Sequence, residues 1–245
     1  MADPGAKIRL YVAAPLGPGA EVALTAGQAH YLGAVMRQKP GGRVAVFNGR
    51  DGEWIAEIAA LGRGSGSLLA RAPGQPQRMP PDVWLMFAPI RKARTDFIVE
   101  KATELGAARI LPVLTRHTNA ERLGTGRLRA HAVEAAEQCG GTFVPEVAEP
   151  ERLEALLDRW DPARRIVFCD ERPGAPPARA ALAAAAPGPW AVLTGPEGGF
   201  APEEAARLRA MAAVLPVALG PRVLRADTAA VAALALWQAA LGDWR

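Results

Sequence analysis

The sequence predicts an α/β protein in two parts, a small barrel of short strands followed by a largely parallel sheet with helices on both faces. Three observations carry this expectation. The first seventy residues alternate short apolar runs with turn residues and hold one helical turn, the pattern of a small barrel. From Asp82 onward, apolar runs alternate with amphipathic segments, which implies parallel strands joined by crossover helices. Between the two lies Ala72-Pro73-Gly74-Gln75-Pro76-Gln77-Arg78-Met79-Pro80-Pro81, dense in proline and without apolar periodicity. It divides the chain into a domain at 1–72, a linker at 73–81 and a domain at 82–245.

In the first part, strands are expected at Ile8 to Ala13, Glu21 to Leu24, Arg43 to Asn48, Glu53 to Leu61 and Leu68 to Ala70, with a helical turn from Gln28 to Met36. Asn48-Gly49-Arg50-Asp51-Gly52 separates two of these runs and reads as a hairpin, because glycine and asparagine accept positive φ. In the second part, strands are expected at Val83 to Pro89, Arg109 to Leu114, Ile166 to Cys169, Trp190 to Thr194 and Val214 to Leu219. The helix after the first of them should be capped by Thr95, bury Ile98, Ala102 and Leu105, and stop at Gly106. Ala178 to Ala186 reads as an ordinary helix.

Half of the 245 residues are hydrophobic, enough to bury a sizeable core. The opening Met1-Ala2-Asp3-Pro4 carries an acid and no long apolar stretch, and Ala229 to Leu241 is too short for a membrane span, so a cytoplasmic protein without a membrane partner is expected. Cys139 and Cys169 lack metal-ligand spacing and are expected to be buried free thiols, with no metal site. The net charge is only +4, yet ten basic residues stand against five acids between Arg78 and Arg129. Such an excess suits a polyanionic partner, although a general bias toward Ala, Arg, Gly and Pro produces it as well.

Common catalytic motifs are absent. No glycine-rich loop followed by Lys-Ser or Lys-Thr occurs, no Gly-x-Gly-x-x-Gly follows the first strand of the second part, and there is no serine-hydrolase elbow. His30, His117 and His131 sit in no triad or metal motif. What remains is a pair of loops, Thr194-Gly195-Pro196-Glu197-Gly198-Gly199-Phe200 and Leu219-Gly220-Pro221-Arg222-Val223-Leu224-Arg225-Ala226-Asp227-Thr228-Ala229. Gly195, Gly198 and Gly199 remove side chains from a turn, so main-chain groups can approach a ligand closely. Pro202, Glu203 and Glu204 then start a helix well. One such loop is an ordinary connection; two in consecutive units at adjacent strand ends point to a ligand site.

Together these loops resemble the paired signature of the SPOUT methyltransferases, and within them the RsmE-type 16S ribosomal RNA uridine-N3 methyltransferase family. Further matches are Lys92, Glu100-Lys101-Ala102-Thr103-Glu104-Leu105-Gly106, Glu134-Ala135-Ala136-Glu137-Gln138-Cys139-Gly140 and Val144-Pro145-Glu146. The amino-terminal part, with His30, Arg37 and Phe47-Asn48-Gly49, resembles that family's PUA-like RNA-binding barrel. The resemblance implies a trefoil-knotted parallel sheet, S-adenosylmethionine as cofactor, a homodimer, and 16S ribosomal RNA or the 30S subunit as partner. It implies cofactor contacts at Leu193, Thr194, Gly195, Glu197, Gly198, Leu219, Gly220, Val223, Leu224 and Thr228, largely through the main chain, and RNA contacts at Arg9, His30, Arg37 and Arg222. The chain departs from the pattern where Asp227 replaces glutamate, Ala201 a serine, Gly141 an arginine, and Thr115-Arg116-His117-Thr118 a Ser-Glu-Arg-Ser.

Uridine N3 is nucleophilic only after losing its proton, so a protein methylating it has to stabilise an anion spread over the pyrimidine oxygens, remove the proton, or both. Arg225 is the expected catalytic residue, because its guanidinium offers a fixed fork of donors to such an anion; a phosphate or dimer contact would use the same group. Asp227 or Thr228 is expected to cap the last helix. Glu100 and Glu104 repel each other across one helical turn, with Lys101 or Lys92 to compensate, and read as a structural brace. Two other functions remain open, a SPOUT enzyme acting on a transfer RNA ribose 2′-hydroxyl and a non-catalytic RNA-binding ribosome-assembly factor. The Val-Leu-Arg-Ala-Asp-Thr-Ala segment, in place of an asparagine-rich one, speaks against the former.

Overall fold

The structure is a computed structural model that describes residues 6–119, 123–172 and 174–244. Met1 to Pro4 and, in the basic stretch, Glu121 and Arg122 lie outside the described residues. The chain forms two compact units, one of residues 1–79 and 136–144, the other of residues 80–135 and 145–245.

In the first unit, β1 (Arg9–Tyr11), β2 (Glu21–Ala23), β3 (Arg43–Phe47), β4 (Glu53–Gly62) and β5 (Ser65–Pro73) form a five-stranded sheet in the order β1-β3-β4-β5-β2. The β1–β3 pair is parallel and the others are antiparallel. All five strands send side chains into one core, among them Leu10, Val22, Val46, Ile58 and Leu68. The helical turn comprises α1 (Ala26–His30), capped by Thr25, and a wider π turn over Tyr31–Val35 that closes with Met36 N donating to Tyr31 O. Asn48 makes the expected hairpin, its Oδ1 accepting from the amides of Arg50 and Asp51 while Gly49 and Gly52 take φ of 81° and 74°.

The proline-rich stretch is docked against this unit. β5 extends to Pro73, Gly74 N donates to Glu53 O, and Glu53 N donates to Gln75 O. Both bonds are made by the non-proline residues Gly74 and Gln75, so the donors that proline lacks cost no pairing there.

The second unit is built on β6 (Val83–Phe87), β7 (Arg109–Leu114), β8 (Glu146–Val147), β9 (Glu151–Arg152), β10 (Arg165–Cys169), β11 (Trp190–Thr194) and β12 (Val214–Val217). The sheet order is β12-β10-β11-β6-β7-β8, every pair parallel, with β9 beside β7. Thus β11 lies between β6 and β10, both earlier in the chain. All five residues of β11 are buried, as expected of a strand covered on both faces. Its helices are α2 (Lys92–Glu104), α3 (Thr125–Cys139), α4 (Leu153–Asp158), α5 (Ala178–Ala183), α6 (Pro202–Ala210) and α7 (Ala226–Leu241). On one face, Leu111, Ile166, Phe168, Ala191 and Leu193 meet Leu156 of α4 and Leu208 of α6. On the other, α7 packs on β6 and β11 and against α2 and α5.

Helix starts differ from the sequence expectation. α2 begins at Lys92, and Thr95 lies inside it, buried, with its hydroxyl donating to Ile90 O and accepting from Ile90 N. Thr95 thus ties down the loop between β6 and α2 instead of capping. Gly106 does stop the helix, at φ 73°. α7 begins after Arg225, so Asp227 and Thr228 lie in its first turn, where Asp227 Oδ1 accepts from Thr228 N. Ala201 precedes α6, and Glu204 Oε2 accepts from its amide, keeping half of a capping box without the serine.

Candidate functional site

The parallel arrangement brings the carboxyl ends of β6, β10, β11 and β12 to one edge of the sheet, and the segments leaving them surround a cavity of about 880 Å³. That volume suits a nucleoside-sized organic ligand. The two glycine-containing loops follow β11 and β12, on either side of β10, and form two of its walls.

The first loop is shaped from within and braced from outside. Gly195 lies against the Phe200 ring, which stands edge-on to Phe168 at 5.1 Å between centroids. Gly199 has φ 68°, a left-handed conformation that favours glycine. His117 Nδ1 lies 3.1 Å from Gly198 O and 3.2 Å from Gly199 O, so as a donor it holds both carbonyls. The neighbouring Arg116 amide donates to Glu204 Oε1, fastening the same connection to the start of α6. The hydroxyl of Thr194 is buried and makes no hydrogen bond, leaving a polar group at the cavity wall for a ligand.

Arg94, in the first turn of α2, joins the two loops. Its guanidinium lies 3.3 Å from Glu197 of the first and 3.9 Å from Asp227 of the second. Arg222 and Arg225 stand exposed on the second loop and line the cavity. Among the described residues neither has a carboxylate partner.

The segment after β10 forms a wall to which the sequence reading assigned no role. Asp170, with its side chain 3% exposed, accepts from Arg209 Nε at 2.8 Å and Nη2 at 2.9 Å. Burial alone would raise the Asp170 pKa, but the Arg209 fork and the Arg172 amide outweigh it and hold the carboxyl below its ordinary value. Cys169, half-buried at the cavity, has its thiol pushed up to about 12 by burial. Cys139 is exposed at the end of α3, contrary to the buried thiol expected there. Among the described residues, no group of three His, Cys, Asp or Glu side chains is placed to hold a metal ion.

Of the residues assigned to the ligand from the sequence, Thr194, Gly195, Glu197, Leu219, Gly220, Val223 and Leu224 line the cavity, together with Arg222 and Arg225. Leu193 is fully buried and its side chain joins the core on the far side from Thr194. Gly198 offers its carbonyl to His117, and Thr228 is exposed on α7 outside the lining. Arg91, Arg94, Asp170, Glu171, Arg172 and Arg209 are the charged lining residues that sequence reasoning missed. The available signal was that β10 is also a parallel strand ending at this edge.

In the first unit, His30 and Arg37 are exposed, and Arg37 has a left-handed φ of 52°. Arg9, expected at the RNA, makes a dense set of contacts within this unit. Its Nε donates to Glu53, Nη1 to the carbonyls of Ala136 and Glu137, and Nη2 to Gly141 O, while the guanidinium lies 4.7 Å from the Phe47 ring centre. Those donors are engaged inside the unit, where Arg9 holds the 136–141 segment.

The basic stretch is partly neutralised by acids, two of them remote in sequence. Arg127 pairs with Asp96, Arg109 with Glu146 and Lys101 with Glu104, and His131 Nδ1 lies 2.8 Å from Glu100. Lys101 compensates the Glu104 charge within α2, and the His131 ring nitrogen bonds Glu100 between α2 and α3.

A family model described as an RNA methyltransferase domain matches residues 77–238, and one described as an RNA methyltransferase PUA domain matches residues 24–68. The chain is 33% identical over 231 residues to the ribosomal RNA small subunit methyltransferase E of Synechocystis sp., covering 93% of this chain and 76% of that protein. It is 25% identical to the protein of the same name from Rickettsia conorii, covering 93% of each. Among solved structures, the Legionella pneumophila protein Lpg2936, in complex with bound cofactor SAM, superposes with a TM-score of 0.85 at 28% identity, over 96% of this chain and 98% of that one. The ribosomal RNA small subunit methyltransferase E of Neisseria gonorrhoeae gives 0.84 at 24% identity over 97% and 99%, a likeness of fold.

Proposed function

Because this chain belongs to the RNA methyltransferase family, and within it to the RsmE type, we propose that it transfers a methyl group from S-adenosylmethionine to N3 of a uridine in the 16S ribosomal RNA of the small subunit. The observation that carries this reading is that the two glycine-containing loops line one cavity, with Arg225 among its lining residues.

The residues present fit the cofactor. The loops expose main-chain groups, the Thr194 hydroxyl awaits a partner, and Leu219 and Leu224 offer apolar surface for an adenine ring. The Legionella relative, solved with SAM, supports the same occupant. When bound, S-adenosylmethionine supplies the methyl group on a sulfonium.

The chain's own residues then act on the uridine. The exposed Arg225 guanidinium stabilises the N3 anion through the pyrimidine oxygens, which lowers the cost of deprotonation at the moment of transfer. Arg222 lies three residues away and is assigned to the RNA, as are His30 and Arg37 of the PUA-like unit. A homodimer completes the reading: Val223 is 81% exposed on the second loop, an apolar side chain that a second copy would cover. The position of β11 between two earlier strands supports the trefoil threading that the resemblance implies.

The test is mass mapping of 16S ribosomal RNA after incubation of purified protein with small subunits and labelled cofactor. N3-methyluridine is the expected product. A 2′-O-methyl nucleotide, or cofactor binding without transfer, would overturn the assignment.

A further inference from the structure

Glu171 is the carboxylate at the cavity wall that has been left without a cation. Asp170 is held by Arg209, and Glu197 by Arg94. No basic side chain among the described residues pairs with Glu171, which is exposed yet lines the cavity. It lies against the first loop. Oε1 sits 2.5 Å from where a Cβ on Gly199 would stand, so the missing side chain of the first loop makes room for this carboxylate.

The charges around it give this arrangement a consequence. Arg91, Arg222 and Arg225 line the same cavity, exposed and without acid partners among the described residues. They suit an anionic RNA but oppose a cation entering beside them. S-adenosylmethionine carries two positive groups, the sulfonium and the ammonium of its amino-acid part. Building on the cofactor reading above, we propose that Glu171 is the counter-charge to a positive group of the cofactor and sets the cavity's preference for adenosine ligands that carry such a group over 5′-methylthioadenosine, which carries none.

Calorimetric titration of the full chain, with Glu171→Gln and Glu171→Asp beside it, tests this with three probes. These are S-adenosylmethionine, S-adenosylhomocysteine, which lacks the sulfonium charge, and 5′-methylthioadenosine, which lacks both positive groups. The Gln variant should bind S-adenosylmethionine about tenfold more weakly and 5′-methylthioadenosine unchanged, as expected for loss of a charge-assisted contact, while the Asp variant retains most of the affinity. Unchanged S-adenosylhomocysteine binding assigns the contact to the sulfonium, and an equal loss assigns it to the ammonium. Equal weakening of 5′-methylthioadenosine, or full S-adenosylmethionine affinity in the Gln variant, overturns the proposal. A wild-type chain that binds none of the three overturns the cofactor reading itself, a result distinct from lost selectivity in the variant.

Discussion

A Cβ on Gly195 would lie 2.6 Å from Cε2 of Phe200, inside the contact distance of two carbons. Because the Phe200 ring packs edge-on to Phe168, the missing side chain at 195 fixes the curvature of the first loop through an aromatic pair.

Gly195→Ala is therefore expected to displace Phe200 and cost about 1–3 kcal/mol, the usual range for overpacking. Cofactor affinity should fall in the same variant. Urea denaturation and calorimetry check the two effects; unchanged cofactor affinity would remove the first loop from the site.

Arg225→Ala should lower kcat by about 100-fold, the scale seen when a donor to a developing anion is removed. S-adenosylmethionine affinity should remain within about threefold, because the assigned contact is with uridine. Single-turnover kinetics alongside calorimetry separates the two, and a loss confined to cofactor binding would count against the catalytic assignment.

Asp170→Asn should destabilise the second unit by about 1–3 kcal/mol at neutral pH by taking the charged acceptor from Arg209. The sign with pH follows from the lowered carboxyl pKa of the folded state. Its stabilisation is fully present above the unfolded pKa, near 4, and is lost as pH falls through the lower folded value. The gap between wild type and variant should thus narrow only in acid below about pH 4, which denaturation at a series of pH values measures.

Arg9→Ala should unfold the first unit more readily, by about 3–5 kcal/mol, because it strands the buried Glu53 carboxylate and three main-chain carbonyls. Arg37→Ala should instead weaken RNA binding with stability changed by less than about 0.5 kcal/mol. Thermal denaturation and filter binding distinguish the pair. Equal effects on RNA affinity without destabilisation by Arg9→Ala would assign Arg9 to the RNA.

Val223→Lys should shift the protein toward monomer in sedimentation equilibrium, since a charge buried without a partner opposes association. A wild-type monomer would remove the proposed dimer.

Much of the fold was legible because its cause is local. The uninterrupted apolar run Trp190 to Thr194 marked a strand buried on both faces, and Asn48 with Gly49 marked a hairpin whose φ angles few other residues accept. Cap positions were less legible. Thr95 has the right chemistry for a cap, but its hydroxyl found a partner in Ile90 inside the turn, a choice made by where β6 delivers the chain.

The sequence by itself determined the two-part architecture, the alternation that builds a parallel sheet, and the two side-chain-poor loops, because each follows from neighbours within a turn or a strand. Tertiary structure alone decided which charges meet. Arg9 found Glu53, Asp170 found Arg209, Arg94 found Glu197, and Glu171 was left without a partner, across separations that no local pattern encodes. The physical reason is that an ion pair depends on distance in space and on the solvent excluded around it, and both are set only when strands distant along the chain are laid side by side.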